Sequence, residues 1–300
     1  MPRPALRLAG PERSRSRVID CHTHLTHAEF DADRAAVVER ARQAGVEWIA
    51  IVGQDEAENR QVLALTELAL TELALTGLAL AALAPGQAAD GASGRAVPPW
   101  LPFLGLHPDR YADRRAPLEP AELERICATI RAERARIVGI GEVGLDFWHA
   151  QDPARRELQR AALRRLADLA VELDLPLNVH SRSAGQHTLD LLLERGARRV
   201  LMHAFDGKAG HALKGAQAGY VFSIPPSVVR SPQKQKLVRA LPLSALALET
   251  DSPVLGPVQG ERNEPANVAV SLRAIAELKG LPAATVREAT DANARRVFGL

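Results

Sequence analysis

Of the nine histidines in this 300-residue chain, five follow short apolar runs: His22, His24, His107, His180 and His203. Two carboxylates behave the same way, Glu142 after Ile137–Gly141 and Asp251 in Glu249-Thr250-Asp251. A single buried histidine is ordinarily a hydrogen-bonded core residue. A set of imidazoles and carboxylates at equivalent places points instead to a shared site for divalent cations. His22 and His24 are two residues apart, so on a strand both side chains leave the same face and can reach one ion. The nitrogen and oxygen donors of His22, His24, Glu142, His180, His203 and Asp251 suit Zn, Mn, Fe, Ni or Co better than Ca, with Mg kept among the candidate cofactors. Six side chains are too many for one tetrahedral catalytic ion with an open position, and they suit two ions. Glu142 is the natural bridge, because its strand faces the middle of the set. Two divalent ions against two carboxylates leave the site near +2. Such a centre can orient an anionic phosphate ester and activate water to attack it.

Eight apolar runs must position these groups: Val18–Cys21, Trp48–Val52, Leu101–Gly105, Ile137–Gly141, Leu177–Val179, Val200–Met202, Tyr220–Ser223 and Ala245–Leu248. Helical stretches alternate with them, at Ala32–Ala44, Asn59–Ala84, Pro120–Arg134, Pro153–Leu173, Ala184–Arg195, Ala209–Ala218 and Pro232–Leu241. A last helical region covers Pro265–Gly280 and Pro282–Phe298. Pro120 and Pro153 suit first helical turns, and Gly45, Gly196 and Gly280 suit helix ends. Eight short strands, apolar on both faces and each followed by a helix, predict a single-domain α/β fold, the (β/α)8 TIM barrel. The rival, an open doubly wound sheet, usually carries a glycine-rich phosphate loop after its first strand, and Asp20-Cys21-His22-Thr23-His24 has no glycine. In a barrel the active site lies at the C-terminal ends of the strands, where the histidines and carboxylates fall.

Composition narrows the remaining choices. A net charge of +2 excludes a wholly basic nucleic-acid-coating surface, so any nucleic-acid contact is local. Cys21 and Cys127 are far apart and form no Cys-x-x-Cys pair, which reads as free thiols in a reduced, cytoplasmic protein. Residues 1–16 read as a disordered basic leader without the apolar run of a signal peptide, ahead of a domain at 17–300. The stretch Leu63–Ala84 is rich in Leu and Ala, but Glu67 and Glu72 inside it each oppose membrane insertion by roughly 2.5–3.5 kcal/mol. No membrane association is expected. Its repeats begin at Thr66, Thr71 and Thr76; five residues turn a helix by about 500°, so the leucines wind around the axis and form no single stripe. An extended barrel helix is the simpler reading and a partner-binding helix the other; Pro85–Pro99 reads as a flexible connection.

The motifs resemble, in order along the chain, those of the TatD family of metal-dependent deoxyribonucleases. They are Asp20, His22, His24 and Leu25; Gly105, His107 and Pro108; Gly141, Glu142, Gly144, Leu145 and Asp146; Pro176, His180 and Arg182; His203, Phe205 and Gly207; Glu249, Thr250, Asp251 and Pro253; Arg262 to Pro265; and Asn293, Arg295, Phe298, Gly299 and Leu300. The resemblance covers about Val18 to Leu300. It implies a TIM barrel with two divalent ions, three in some members, and hydrolysis of DNA phosphodiesters, 3′→5′ from single-stranded ends with some activity at abasic sites and a place in DNA repair. It assigns one ion to His22, His24, Glu142 and Asp251 and the second to Glu142, His180 and His203. Asp251 resembles the group that orients and deprotonates the attacking water, with Glu142 as the other catalytic carboxylate. His107, Arg182 and Arg262 resemble contacts to substrate. One departure is expected in helix Pro153–Leu173, where Leu163 and Leu166 stand near places that relatives fill with Phe and Gln.

Fold and metal chemistry do not fix a substrate. An ester or amide hydrolase such as a D-aminoacyl-tRNA deacylase is the alternative, and a non-catalytic scaffold is opposed by a full set of ligand-competent residues. Stacking groups beside single-stranded DNA would come from few aromatics, at 4% of the chain. Tyr111, Phe147, Trp148 and Phe205 are the candidates.

Overall fold

Strand β1 (Val18–Thr23) opens a run of eight parallel strands that pair strictly in chain order. The computed structural model describes residues 18–75, 100–111 and 120–300. The expected leader and the Pro85–Pro99 connection lie outside the described residues. After β1 come α1 (Arg34–Gln43), β2 (Val46–Val52), α2 (Glu56–Leu75), β3 (Trp100–Leu106), α3 (Pro120–Ala132) and β4 (Gly139–Gly144). Then follow α4 (Pro153–Leu173), β5 (Leu177–His180), α5 (Gly185–Glu194), β6 (Val200–Met202) and α6 (Ala209–Gln217). The series ends with β7 (Val221–Ile224), α7 (Pro232–Ala240), β8 (Leu246–Leu248), α8 (Val268–Lys279) and α9 (Ala283–Phe298). This is the expected (β/α)8 barrel. Among the described residues no helix is long and apolar enough to cross a membrane.

Alternation along the strands builds two apolar layers. Ile49 and Ile51 join the cluster between strands and helices, whereas Ala50 and Val52 join a second cluster with Leu101, Phe103, Leu201 and Ala247. Ala294, Val297 and Phe298 of α9 stopper this inner cluster, with the Phe103 and Phe298 rings 5.0 Å apart. The barrel interior is therefore a packed core below its rim, as closed eight-stranded barrels require. Asn293 secures α9 by donating to the carbonyls of Leu243 and Leu246, at 2.8 and 2.9 Å.

The barrel closes at its C-terminal rim. Asp251 N–H donates to His22 O and His24 N–H to Ser252 O, each at 2.9 Å. Below them the buried Asp20 carboxylate accepts from Thr250 N–H at 2.8 Å and from the Thr250 hydroxyl at 2.6 Å.

Several boundaries differ from those expected, and three of them have a clear local reason. β4 continues through Glu142, because Val143 and Gly144 pair with Val179 and His180. α2 starts at Glu56 because Asp55 Oδ1 accepts from the N–H groups of Ala57 and Glu58, at 2.8 and 2.9 Å. Pro265–Asn267 forms a single 3-10 turn ahead of α8.

Candidate metal centre

Glu142 occupies the middle of the rim because glycines let the neighbouring strands close on it. A Cβ at Gly105 would overlap the Glu142 backbone, and one at Gly144 would overlap the His180 carbonyl oxygen. The carboxylate is buried, and its two oxygens face different partners. Oε1 lies 2.9 Å from His180 Nδ1, 2.9 Å from His203 Nε2 and 3.4 Å from His107 Nε2. Oε2 lies 3.6 Å from His22 Nε2 and 3.5 Å from His24 Nε2, and accepts from Gln54 Nε2 at 3.2 Å.

Asp251 completes the His22–His24 side. Its Oδ1 is 3.6 Å from His22 Nε2 and 3.3 Å from His24 Nε2. The residue sits in the left-handed region at φ 55°, and Ala204, next to His203, at φ 37°. Such conformations cost on the order of 1–3 kcal/mol and collect at functional sites, with Asp tolerating them better than most residues. His22 and His203 stack face to face, centroids 3.7 Å apart and planes within 7°, which joins the two halves.

Hydrogen bonds outside the cluster decide which ring nitrogens face inward. Asn178 Nδ2 donates to Cys21 O at 2.8 Å, which leaves Asn178 Oδ1 to accept from His22 Nδ1, also at 2.8 Å. The His22 lone pair is then on Nε2, which points at His24 Nε2 (3.3 Å) and at the two carboxylates. Burial lowers the pKa of His22, which fits a neutral ring. His24 Nδ1 is buried without a hydrogen-bond partner. On the other side, His180 Nε2 meets Asp146 Oδ2 at 3.2 Å, leaving Nδ1 to face Glu142. His22 and His180 thus each have one nitrogen turned to an outer partner and one turned inward, as histidine ligands of metals do.

The inward atoms are mostly acceptors, and positive charge is what reconciles them. Burial works against a charged Glu142, yet His107, His203 and His22 hold its pKa well below the ordinary carboxylate range. Burial works against a charged His180 as well, but Asp146 and Glu142 lift it to about 9. His203 is raised well above the ordinary value despite burial, mainly by Glu142. Protons balance the charge in this arrangement, and divalent cations fit the same donor set. Among the described residues four groups have ligand atoms within 4.8 Å of one another: His22, Glu142 and His203; His22, His24 and Asp251; and His107, Glu142 and His180 at the rim, with Asp109, Asp146 and His149 at its exposed edge.

All six expected ligands converge here, from residue 22 to residue 251. His107 lies within ligand reach of Glu142 rather than at the edge of the site. Arg182 is exposed just beyond His180, with its guanidinium 5.3 Å from the Trp148 ring centroid. Arg262 is engaged elsewhere: it donates to both Asp33 oxygens at 2.8 and 2.7 Å and to Glu29 O at 2.7 Å.

Several supporting residues escaped the sequence reading. Asn178 had a signal, being two residues before His180 on the same strand face. Gln54 follows β2, and Ser223 of β7 donates to Glu249 at 2.6 Å, so every strand serves the site. Glu249 in turn accepts from Ala204 N–H at 2.8 Å and faces His203 Nδ1 at 3.7 Å. In α4 the expected lack of a glutamine is corrected by Gln159. Its buried amide accepts from Asp146 N–H at 3.0 Å and donates to Pro108 O at 3.0 Å, while Leu163 and Leu166 pack into the core.

A parallel eight-stranded barrel with clustered histidines and carboxylates at its C-terminal rim defines the class: a metal-dependent hydrolase. The chain belongs to the TatD-related DNase family, whose model matches residues 19–299. It is 42% identical over 285 residues to the putative deoxyribonuclease TATDN3 of Mus musculus, covering 94% of this chain and 88% of the relative. It is 41% identical over 286 residues to the deoxyribonuclease TATDN3 of Homo sapiens, covering 94% of each. Among solved structures, the TatD homologue YjjV of Escherichia coli superposes with a TM-score of 0.78 at 27% identity, over 95% of this chain and 99% of that one. Like these relatives, the chain is a hydrolase acting on ester bonds.

Proposed function

We propose that the protein hydrolyses phosphodiester bonds in DNA with two divalent cations that share Glu142. The carrying observation is the division of that carboxylate: Oε1 faces His180 and His203, and Oε2 faces His22 and His24. His22, His24, Glu142 and Asp251 would hold one ion, and Glu142, His180 and His203 the other, with His107 within reach of the second. When bound, such a pair supplies Lewis acidity to a phosphoryl oxygen and lowers the pKa of an attacking water. The Asp251 carboxylate, beside His24, would orient that water and take its proton. Asn178 and Asp146 fix the rings of His22 and His180, so neither has to reorganise during the reaction. Arg182 reaches outward to the substrate phosphates. Single-stranded 3′ ends as substrate, 3′→5′ polarity and activity at abasic sites enter from the family resemblance and from relatives named deoxyribonucleases.

Protein loaded with Zn, Mn, Mg, Ni or Co in turn is expected to shorten a 5′-labelled single-stranded oligonucleotide, and chelation to stop it. Intact DNA together with rapid deacylation of a D-aminoacyl-tRNA would overturn the proposal in favour of an ester hydrolase.

A further inference from the structure

The surroundings of the four candidate stacking residues separate them. Phe205 is fully buried and stands edge-on to Phe222, with centroids 5.2 Å apart. Phe147 is buried beneath the guanidinium groups of Arg156 and Arg160, at 4.7 and 5.1 Å from its centroid. Tyr111 is buried as well. Trp148 alone of the four is in the open, with 58% of its surface exposed.

The indole has a cationic neighbour. Arg182 lies 5.3 Å from its ring centroid, is exposed, and has no carboxylate partner among the described residues. Both residues are tied to the metal centre through short steps. Leu145 N–H donates to His180 O at 3.2 Å, and Phe147 N–H donates to Arg182 O at 3.0 Å. Asp146, two residues before Trp148, touches His180 Nε2, and Gln151 Nε2 donates to Trp148 O at 2.8 Å. The loop that carries the indole is thus anchored to a ligand strand.

We infer that Trp148 and Arg182 form a stacking platform for an unpaired nucleobase beside the bond to be cut, an inference that rests on reading the site as a phosphodiesterase. The indole offers a π-face to a base, and the guanidinium serves the adjoining phosphate. Bases inside a duplex have both faces covered by their neighbours, so only a terminal or single-stranded base can use the platform. The substrate class is therefore base-bearing single strands, and Trp148 acts through KM.

The test compares an oligothymidylate with a strand of equal length made of tetrahydrofuran residues, which has the same backbone charge and no bases. Metal-loaded wild type, Trp148→Ala and Trp148→Phe are assayed on both. Trp148→Ala is expected to raise KM for the oligothymidylate roughly 5- to 150-fold, the equivalent of ~1–3 kcal/mol of base stacking. Its KM for the baseless strand and its kcat stay within about 2-fold of wild type. Trp148→Phe restores most of the loss. Equal losses on both strands, or none on the oligothymidylate, overturn the platform. If wild type cuts neither strand, the phosphodiesterase reading fails separately. Fluorescence quenching then decides on the platform: a signal from the oligothymidylate that the baseless strand and Trp148→Phe both lack supports it, and its absence overturns it.

Discussion

Of the arginines that stand over aromatic rings, Arg182 and Arg262 have surroundings that give them opposite roles. Arg182 is 5.3 Å from the centre of Trp148, and Arg262 is 5.1 Å from the centre of Phe30. Both lie in motifs whose family resemblance points to substrate. Arg262 is engaged within the fold: its Nη1 and Nη2 donate to the carboxylate of Asp33 and the carbonyl of Glu29, and Arg40 braces the same Asp33 while gripping Glu264. It ties the loop after β8 to the start of α1. Arg182 keeps its donors, and its ring partner is in the open. An arginine over a ring is therefore not informative by itself; the presence of a carboxylate decides whether the charge holds the fold together or is left for an incoming anion.

The comparison presupposes that the rim between these corners is where the reaction occurs, and its severest test is Glu142→Ala. That variant is expected to lose bound metal and more than about 10³-fold of turnover, while circular dichroism shows the fold retained. Wild-type turnover would remove the centre against which both corners are defined. A smaller effect is expected from Asn178→Ala, which frees the His22 ring without removing a ligand. Divalent-ion affinity, measured by titration, should fall about 10- to 100-fold. Unchanged affinity would mean that the ring is held by its other contacts.

The arginines themselves give the smallest and most discriminating effects. Arg182→Ala should raise KM for single-stranded DNA and lower the salt dependence of binding by about one charge. Arg262→Ala should leave KM within about 2-fold and lower the urea midpoint of unfolding. That deficit has a pH signature. Hydrogen bonding to Arg262 holds the Asp33 pKa at about 2, below its ordinary 3.8. The stabilisation is therefore present above about pH 4 and is lost as pH falls towards 2. The wild-type and Arg262→Ala midpoints should converge over that window. If Arg262→Ala instead shifts KM while Arg182→Ala does not, the two roles are reversed.

The fold and the candidate ligands were legible because both follow periodic rules. Eight apolar runs alternating with helical ones gave the barrel, and residues just after those runs supplied His22, Glu142, His180, His203 and Asp251. What stayed hidden depends on contacts distant in sequence. Nothing in the motif around Arg262 reveals Asp33, 229 positions earlier. Asn178 and Gln159 are ordinary amides until the carbonyls and rings they meet are known. Trp148 is one of several aromatics, and only its exposure separates it from Phe147 beside it.

The seam between the first and last strands has a consequence for the order of events in the chain's life. His22 and His24 come from the first strand of the barrel and Asp251 from the end of the eighth, and they meet where Asp20 grips Thr250. Contacts so widely separated form only after the loop entropy of the intervening chain, 230 positions from Asp20 to Thr250, has been overcome. A nascent or truncated chain lacking the final strand holds at most part of the ligand set. A complete ligand set thus requires the first and last strands of the barrel to have met, so the closure of the fold itself gates the assembly of the site.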